Sequence, residues 1–325
     1  MDPKLTIKEA AELLGVSARK LHKRLLDSEL NYNKLNGTVY FAYPTARQLF
    51  QLHPTPKVIS FQIIKGGTGK TSLACSVAVR ANLLGLRVLC IDLDQQGNLT
   101  SSFGVDAESL PVMVDILADG YSYEDAITRV FPGLDLLASR IENSLLDEVL
   151  KVKRANLAQI YRAPLNVLKE KYDLIVIDCP PNIGQSVAAV TLAVDQVIIP
   201  VIPDSYALSG LEATCNAIKE LQTSYQQKIS FGIVFNKFET RSALALEAQQ
   251  IFKAHAEYRT HLFKTFVHTD LDFPTAVARN ASIFDSVKGC RAKRDIDQLT
   301  REILGISNTA TEEQKEFASA EESCI

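Results

Sequence analysis

The segment KGGTGKTS, Lys65–Ser72, carries the residue types of a phosphate-binding loop. Its three glycines let backbone N–H groups turn inward toward an anion, and Lys70 brings a positive charge to β- and γ-phosphate oxygens. Thr71 offers a hydroxyl to Mg²⁺. A plain glycine turn between a strand and a helix is the alternative, but the order Gly-Lys-Thr at such a junction favours a nucleotide. The predicted loop contacts are Gly66, Gly67, Thr68, Gly69, Lys70, Thr71 and Ser72.

The loop departs from the usual pattern G-x-x-x-x-G-K-[ST] at its first position. That position holds Ile64, and a second lysine, Lys65, follows it. Phosphate binding by Lys70 does not require this additional cation, so its presence needs a separate explanation.

Acidic residues end two later apolar runs. In CIDLDQQGNLT, Asp92 and Asp94 stand two residues apart and therefore on the same side of an extended chain. We predict that Asp92 holds a metal-bound water and that Asp94 orients the attacking water; a solvated turn is the alternative. In YDLIVIDCPP, Asp178 follows four apolar residues as in a Walker B strand, and we predict that it reaches Mg²⁺ through water. A buried carboxylate without a partner is costly, which favours this metal role.

The elements that must position these residues follow from five apolar runs rich in β-branched residues. They read VISFQII, LRVLCIDL, YDLIVIDC, VDQVIIPV and ISFGIVFN. Strands covered on both faces have this composition. Helical patterns such as KTSLACSVAVRANLLG separate them, with Gly85 as the predicted helix end. The alternation predicts an α/β fold with a mostly parallel, helix-flanked sheet, in which ligands bind at the carboxyl ends of the strands.

The 325 residues divide into four predicted segments. Residues 1–53 contain eight Lys and Arg against five Asp and Glu, a net charge of +3, whereas the whole chain carries −3. The two prolines of HPTPK favour a linker at 54–57. The large α/β domain occupies 58–306. A tail at 307–325, with five Glu and one Lys, is predicted to be disordered.

Composition also excludes several classes of protein. No N-terminal apolar run resembles a signal peptide, and no run of about 18 apolar residues is long enough for a bilayer span. We therefore expect a cytoplasmic protein without membrane contact. The six cysteines form no C-x-x-C pair and stand near no histidine at ligand spacing, which favours core packing over metal or disulfide chemistry.

The N-terminal segment has the spacing of a winged helix-turn-helix domain. In LTIKEAAELLGVSARKLHKRLLDSEL two helical patterns meet at a turn at Gly15, with Ser17 as N-cap of the second helix. NKLNGTVYFAYP predicts a small β-hairpin, the wing, around its Asn-Gly pair. A helical protein-interaction module is the alternative. The basic residues of the second helix that suit phosphates and base edges in a major groove are Arg19, Lys20, Lys23 and Arg24.

The motifs KGGTGKTS, IDLDQQGNLT and DCPP together resemble the deviant Walker A motif, the A′ box and the Walker B motif of the ParA/MinD family of ATPases. The resemblance covers approximately residues 58–306 and implies a P-loop NTPase fold. One departure is Gln95, where partition ATPases often have proline, but both acids of the A′ box are kept.

The resemblance explains the second lysine of the loop. It implies that Lys65 is the signature lysine of the family, which reaches the nucleotide held by a partner subunit and acts in catalysis with Lys70 and Asp94. A cation brought from outside stabilises charge on the phosphates, as an arginine finger does. The resemblance also implies nucleotide contacts near the base from Asn236, in FNKF, and from Pro203, in IPVIPDSYALSGL.

The implied function is ATP-dependent DNA segregation with Mg²⁺ as the cofactor. Such a protein is a homodimer when it is ATP-bound, coats nucleoid DNA without sequence preference, and responds to a ParB-like centromere-binding protein. The N-terminal segment adds repression of its own operon at a specific operator. A second basic cluster, KGCRAKR, predicts phosphate contacts, with a solvated helix face as the alternative. Its basic residues are Lys288, Arg291, Lys293 and Arg294.

Other functions share part of this pattern. A cargo-positioning ParA relative carries every motif named above. A transcriptional regulator whose ATPase serves only as a ligand sensor also fits. A membrane-cycling MinD-like regulator requires a basic amphipathic C-terminal helix, and the acidic tail counts against it. A reductase of the nitrogenase iron-protein type requires cysteines placed to bridge a cluster, and the six cysteines show no such spacing.

Overall fold

The structure is a computed structural model that describes residues 1–204 and 207–306. Its N-terminal unit, residues 1–53, contains three short strands and three helices. In chain order they are β1 (Leu5–Thr6), α1 (Ile7–Leu14), α2 (Ala18–Asp27), β2 (Asn33–Leu35), β3 (Thr38–Phe41) and α3 (Tyr43–Phe50). The tail 307–325, predicted to be disordered, lies outside the described residues.

Seven further strands form one sheet, and helices connect them. The elements of this part are β4 (Lys57–Phe61), α4 (Lys70–Leu83), β5 (Val88–Asp92), α5 (Asn98–Ser102), α6 (Met113–Asp119), α7 (Tyr123–Ala126), β6 (Ile127–Phe131), β7 (Leu134–Leu137), α8 (Leu146–Val152), α9 (Arg162–Leu168), β8 (Leu174–Asp178), α10 (Gln185–Ala193), β9 (Gln196–Val201), α11 (Ala207–Tyr225), β10 (Phe231–Phe235), α12 (Ala243–Ala254), α13 (Asp272–Val277) and α14 (Arg291–Leu304). Short 3-10 helices occupy Ile141–Leu145, Tyr258–Thr260 and Ile283–Asp285.

The strand order of the large sheet is β10-β9-β4-β8-β5-β7-β6. All neighbouring pairs are parallel except β7 with β6, which forms an antiparallel edge. The predicted α/β fold with a mostly parallel, helix-flanked sheet is confirmed. Strands β4, β5, β8 and β10 are fully or almost fully buried along their length, and a separate hydrophobic cluster packs against each face of the sheet. The five predicted runs correspond to β4, β5, β8, β9 and β10.

Local sequence explains the shape of the N-terminal unit. Gly15 ends α1 in the left-handed conformation at φ +65°, and the hydroxyl of Ser17 accepts a hydrogen bond from Lys20 N at 3.2 Å, which caps α2. Strands β2 and β3 pair antiparallel across a turn at Asn36 and Gly37, both with positive φ, as the Asn-Gly hairpin signal predicts. Strand β1 adds to the other side of β3.

The N-terminal unit packs directly on the rest of the chain. Its buried residues belong to the same hydrophobic cluster that covers one face of the large sheet. The Arg47 guanidinium, on α3, donates to Gly85 O at 2.8 Å and to Asp173 Oδ2 at 3.1 Å. A Cβ added at Gly85 would lie 2.6 Å from Arg47 Cα, so α3 rests on the backbone that ends α4. The segment predicted as a linker at 54–57 ends on Lys57, which is the first residue of β4.

None of the helices within residues 1–204 and 207–306 combines the length and the apolar character that crossing a membrane would require.

Candidate functional site

The predicted phosphate-binding loop joins the carboxyl end of β4 to the first residue of α4, Lys70. Gly69 is the N-cap of that helix at φ +87°, a conformation that favours glycine. The helix therefore presents its free N–H groups and its positive end to the loop, which is the arrangement that binds phosphate. Lys70 is 7% exposed, and the hydroxyl of Thr68 is buried without a hydrogen-bond partner among the described residues. Both side chains are polar groups available for a ligand enclosed by the loop.

Two residues that follow β10, Asn236 and Lys237, donate hydrogen bonds to the backbone of the phosphate-binding loop. The side-chain amide of Asn236 donates to Thr68 O at 2.8 Å, and Lys237 Nζ donates to Gly67 O at 3.1 Å. The sequence predicts a base contact for Asn236, and the structure places its Nδ2 on the loop backbone. A base contact through its remaining oxygen stays a prediction. Pro203 is buried two residues after β9, whose last residue, Val201, accepts a hydrogen bond from Asn236 N at 2.8 Å.

The acids predicted from the sequence meet at the carboxyl edge of the sheet. Asp92 and Asp178 are the last residues of β5 and β8, and the register places them opposite one another on adjacent strands. Thr71 Oγ1 donates to Asp178 Oδ2 at 2.6 Å, which brings the loop helix to the same point. Asp94 N donates to Asp92 Oδ1 at 3.1 Å. The three carboxylates are almost completely buried.

Burial sets the protonation behaviour of this acidic group. It raises the pKa of Asp92 to about 7, although hydrogen bonds from Thr100 and Asp94 oppose the shift. Burial also raises the pKa of Asp178 well above its usual value, and the neighbouring charge of Asp92 adds to this. Two adjacent buried carboxylates without a cation repel one another, and a bound cation would relieve that repulsion.

The residues at this edge fit a hard divalent cation. Asp178 Oδ1 is buried and has no hydrogen-bond partner among residues 1–204 and 207–306, and the hydroxyl of Thr71 lies beside the other oxygen of the same carboxylate. Oxygen donors of this kind are the ligands that Mg²⁺ prefers, usually with waters and substrate phosphates completing the shell. Both oxygens of Asp92 already accept hydrogen bonds, from Asp94 N and from Thr100, which suits a contact through water.

The substitution Asp178→Asn should stabilise the metal-free protein and weaken Mg²⁺-dependent nucleotide binding. Asparagine keeps the acceptor for Thr71 but removes one of two repelling charges. A carboxyl whose pKa is raised by folding lowers stability as pH rises from its unfolded value, about 3.9, through its folded value. The stabilisation should therefore be larger at about pH 8 than at about pH 5. Thermal unfolding in chelator at both pH values measures it, and an equal shift at both would contradict the charge repulsion as its cause.

The second lysine of the loop is held within its own chain. Lys65 Nζ forms a salt bridge with Asp204 Oδ2 at 2.6 Å, and both side chains are roughly one-third exposed, at 30% and 39%. Gly210, on α11, lies beneath it, since an added Cβ there would come within 3.2 Å of Lys65 Cβ. The lysine therefore lies at the rim of the site, near solvent, whereas Lys70 points into the buried centre.

The predicted DNA contacts occupy two surfaces, with one correction. Lys293 is not a surface residue: it is 3% exposed, its Nζ donates to Ser286 O, and it lies over the ring of Phe284. Burial lowers its pKa. The amphipathic helix α14 turns this position inward, over Phe284, so the prediction of a phosphate contact there is wrong. The remaining predicted contacts are exposed, namely Arg19, Lys20, Lys23, Arg24, Lys288, Arg291 and Arg294.

A group of polar side chains beside the acids was not predicted from the sequence. Ser139, which follows β7, and Asn143, in the next 3-10 helix, are each 3% exposed; Ser139 bonds the 94–100 segment, and Asn143 bonds Ser139. Thr100, in the IDLDQQGNLT motif, holds Asp92. The only signal for Ser139 is a polar residue after a short strand, LDLL, which was not among the predicted runs.

Comparisons with known proteins agree with this geometry. The sequence profile of a family described as AAA domain matches residues 56–231. The chromosome-partitioning ATPase Soj of Treponema pallidum is 30% identical over 251 residues, which are 76% of this chain and 97% of that protein. The cell division protein PomZ of Myxococcus xanthus is 27% identical over 305 residues, or 93% of each chain.

Among solved structures, cobyrinic acid a,c-diamide synthase from Mycobacterium smegmatis, with bound ATP analog and magnesium, is similar in fold. The TM-score is 0.66 at 22% identity, over 77% of this chain and 94% of that chain. At this identity the likeness concerns the α/β fold alone.

Proposed function

Because this chain belongs to the ParA family of P-loop ATPases, we propose that it hydrolyses ATP to drive DNA segregation. The observation that carries the proposal is the meeting of Lys70, Thr71, Asp178 and the Asp92–Asp94 pair at one buried sheet edge, with Lys65 at the rim. Phosphoryl transfer requires positioning and neutralisation of charge rather than covalent help from the protein, and these side chains supply both.

The residues divide the reaction between them. Lys70 and the N–H groups at the start of α4 hold the phosphates. Thr71 and Asp178 would hold Mg²⁺, which neutralises charge on the β- and γ-phosphates when bound. Asp94, two residues beyond Asp92, would orient the attacking water with its carboxylate. Asn236 keeps the loop closed around the phosphates through its bond to Thr68 O.

The position of Lys65 supports ATP-dependent dimerisation as part of this proposal. A lysine at the rim, held by an exposed partner, exchanges Asp204 for a phosphate when a second copy approaches, because the phosphate carries more charge. Two nucleotides would then lie between the subunits, each contacted by the lysine of the opposite chain. ATP favours this dimer and hydrolysis releases it, which makes the site a switch.

The variant Asp94→Ala should bind ATP with about wild-type affinity and lose turnover by about 100-fold or more, because the attacking water is no longer oriented. ATP-bound dimers should accumulate. Light scattering of the purified full chain measures the dimer, and phosphate release measures turnover. Wild-type protein that shows no turnover with ATP, Mg²⁺ and DNA would contradict the proposed function; normal turnover in the variant would remove Asp94 from the mechanism.

For the N-terminal unit we propose a winged helix-turn-helix domain that reads an operator and represses the operon. Helix α2 supports this, since its exposed face carries Arg19, Lys20, Lys23 and Arg24 beside a β2–β3 hairpin. The exposed residues Lys288, Arg291 and Arg294 are proposed to bind nucleoid DNA without sequence preference, as a patch that becomes effective when two copies join. A ParB-like centromere-binding protein is the proposed partner that stimulates hydrolysis.

The salt dependence of DNA binding should distinguish the contributions of the two proposed DNA surfaces. Arg291→Ala with Arg294→Ala should weaken ATP-dependent binding to random-sequence DNA and flatten its salt slope by about 0.9 for each phosphate that is no longer neutralised. Arg19→Ala with Lys23→Ala should remove preference for the operator instead. Lys293→Ala is the internal control, because its buried side chain should alter thermal stability rather than the salt slope. If the double variant Arg291→Ala with Arg294→Ala has the same salt slope as wild type, the proposed DNA binding by the second surface is contradicted.

A second candidate function is the positioning of a cargo or of the division site. It is favoured by the similarity to PomZ, a cell division protein, over 93% of each chain, which includes much of the N-terminal unit. Both functions use the same ATP-dependent dimer. Fluorescent fusion protein imaged together with labelled replicons distinguishes them, since only a segregation ATPase is required for equal inheritance of DNA.

A further inference from the structure

A buried chain of hydrogen bonds ties the 94–100 segment to the end of β7. The hydroxyl of Ser139 donates to Asp94 O at 2.7 Å, and Ser139 N donates to Thr100 Oγ1 at 2.9 Å. One residue therefore contacts both ends of the segment that carries the water-orienting acid. Thr100 links Ser139 to Asp92, because its hydroxyl donates to Asp92 Oδ2 at 2.8 Å.

Asn143 fixes the direction of this chain. Its Nδ2 donates to Ser139 Oγ at 2.7 Å, and its Oδ1 accepts from Val114 N, in the first turn of α6, at 3.0 Å. Since Ser139 Oγ accepts a hydrogen bond from the amide of Asn143, its own hydroxyl hydrogen is committed to the carbonyl of Asp94. The amide is in turn oriented by the backbone of α6, so no member of the chain is free to rotate.

The packing around these hydrogen-bonded side chains leaves them little freedom to move. Ser139, Asn143 and Thr100 are each 3% exposed. Gly97, at φ +61°, passes so close to Ser139 that an added Cβ would lie 3.1 Å from Ser139 O. Buried networks whose donors and acceptors are all paired hold a single arrangement, because any alternative leaves a buried polar group without a partner.

We propose that Ser139 and Asn143 are positioning residues for ATP hydrolysis, which act by fixing the backbone of Asp94 relative to Asp92. Ser139 bonds the carbonyl of Asp94 and the hydroxyl of Thr100, and Asn143 bonds Ser139, so together they set where the Asp94 carboxylate stands. The inference rests on the proposed function, since it assigns a role within the same site. A displacement of about 1 Å at such a residue lowers a rate by as much as about 100-fold without abolishing binding.

The test compares two buried serines in the full-length protein. Ser139→Ala removes the donor to Asp94 O and leaves the Asn143 amide without its acceptor. Ser60→Ala, in β4, is matched to it: Ser60 is also buried and accepts from an amide, that of Gln62, at 2.9 Å, but it contacts neither Asp92 nor Asp94. Single-turnover hydrolysis and the ATP dissociation constant are measured for both.

We expect Ser139→Ala to slow single-turnover hydrolysis by about 10- to 100-fold with an ATP dissociation constant within about threefold of wild type. ATP-bound dimers should accumulate, as for Asp94→Ala. Ser139→Thr, which keeps the hydroxyl, should recover part of the rate. Equal rates in Ser139→Ala and Ser60→Ala would overturn the proposal.

A second variant and a second readout cover the case in which Ser139→Ala does not fold. Asn143→Asp keeps the acceptor for Val114 N but turns a donor into an acceptor, so it draws the Ser139 proton away from Asp94 O and should lower the rate in the same way. Hydrogen exchange of the nucleotide-free protein tests the connection without catalysis. Amides of 94–100 should exchange about tenfold faster in either variant than in Ser60→Ala. Unchanged exchange would overturn the proposal even if wild-type protein shows no turnover.

Discussion

Replacing Gly69 with alanine is expected to abolish nucleotide binding while the sheet still folds. Two features of the position act together. Its φ of +87° is strained for any residue with a side chain, and an added Cβ would lie 2.3 Å from Asn236 Nδ2. Backbone strain alone costs about 1–3 kcal/mol, which is about 5- to 150-fold in affinity. The contact with Asn236 adds to this, because the amide cannot yield without releasing Thr68 O.

The same loop offers a matched control. Among the described residues, no heavy atom outside its chain neighbours lies within 4 Å of a Cβ added at Gly66, so Gly66→Ala should retain most of the affinity unless ATP itself fills that space. The double variant Gly69→Ala with Asn236→Ala separates the two causes, since it removes the side-chain contact and keeps the strained φ. Binding of a fluorescent ATP analogue measures all three proteins. Wild-type affinity in Gly69→Ala would show that the loop opens on binding to a conformation unlike the one described.

The substitution Lys65→Ala is expected to preserve nucleotide binding within the subunit and to remove ATP-dependent dimerisation. Turnover should fall by about 1,000-fold, the effect of losing a cation supplied in trans. The reason lies in its place at the rim, where it pairs with Asp204. Light scattering with and without ATP measures the dimer. A variant that still dimerises normally with ATP would refute the trans role.

Two further variants make this test specific. Lys171→Ala removes another exposed lysine, which is paired with Glu124 at 2.8 Å. This lysine lies next to the amino end of β8, whereas the site lies at the carboxyl ends of the strands. It should dimerise as wild type does. Asp204→Ala removes the salt-bridge partner of Lys65 within the chain and should leave dimerisation intact or strengthen it. Loss of the dimer in Asp204→Ala would mean that the salt bridge belongs to the competent state.

Much of the site could be predicted because its chemistry is local in sequence. The loop from Lys65 to Ser72 needs a strand before it and a helix after it, and both leave strong patterns. The acids Asp92 and Asp178 were found because each ends a nearly continuous apolar run. Their alignment opposite one another depends on β5 and β8 being neighbours, which sequence spacing alone does not determine.

The parts that were missed depend on contacts between distant segments. Strand β6 is the edge strand and carries Thr and Arg in ITRVF, and β7 beside it has only four residues, so neither forms an apolar run like those of the central strands. Ser139 comes close to Asp94 only because β7 pairs with β5. Lys293 was misassigned because a basic cluster does not reveal which of its members a helix turns inward; the packing of α14 over Phe284 and Ser286 decides that.

The contact of α3 with the end of α4 limits how this protein can be divided or recombined. Arg47 spans the boundary to bond both Gly85 O and Asp173, and Tyr43 packs where a Cβ at Gly133 would lie 2.5 Å from its ring. A chain cut before β4 would expose those surfaces and leave Asp173 with Arg87 as its remaining arginine partner among the described residues. The first fifty residues therefore cannot be exchanged freely between relatives. A relative that received them would need glycines equivalent to Gly85 and Gly133 and an acid equivalent to Asp173.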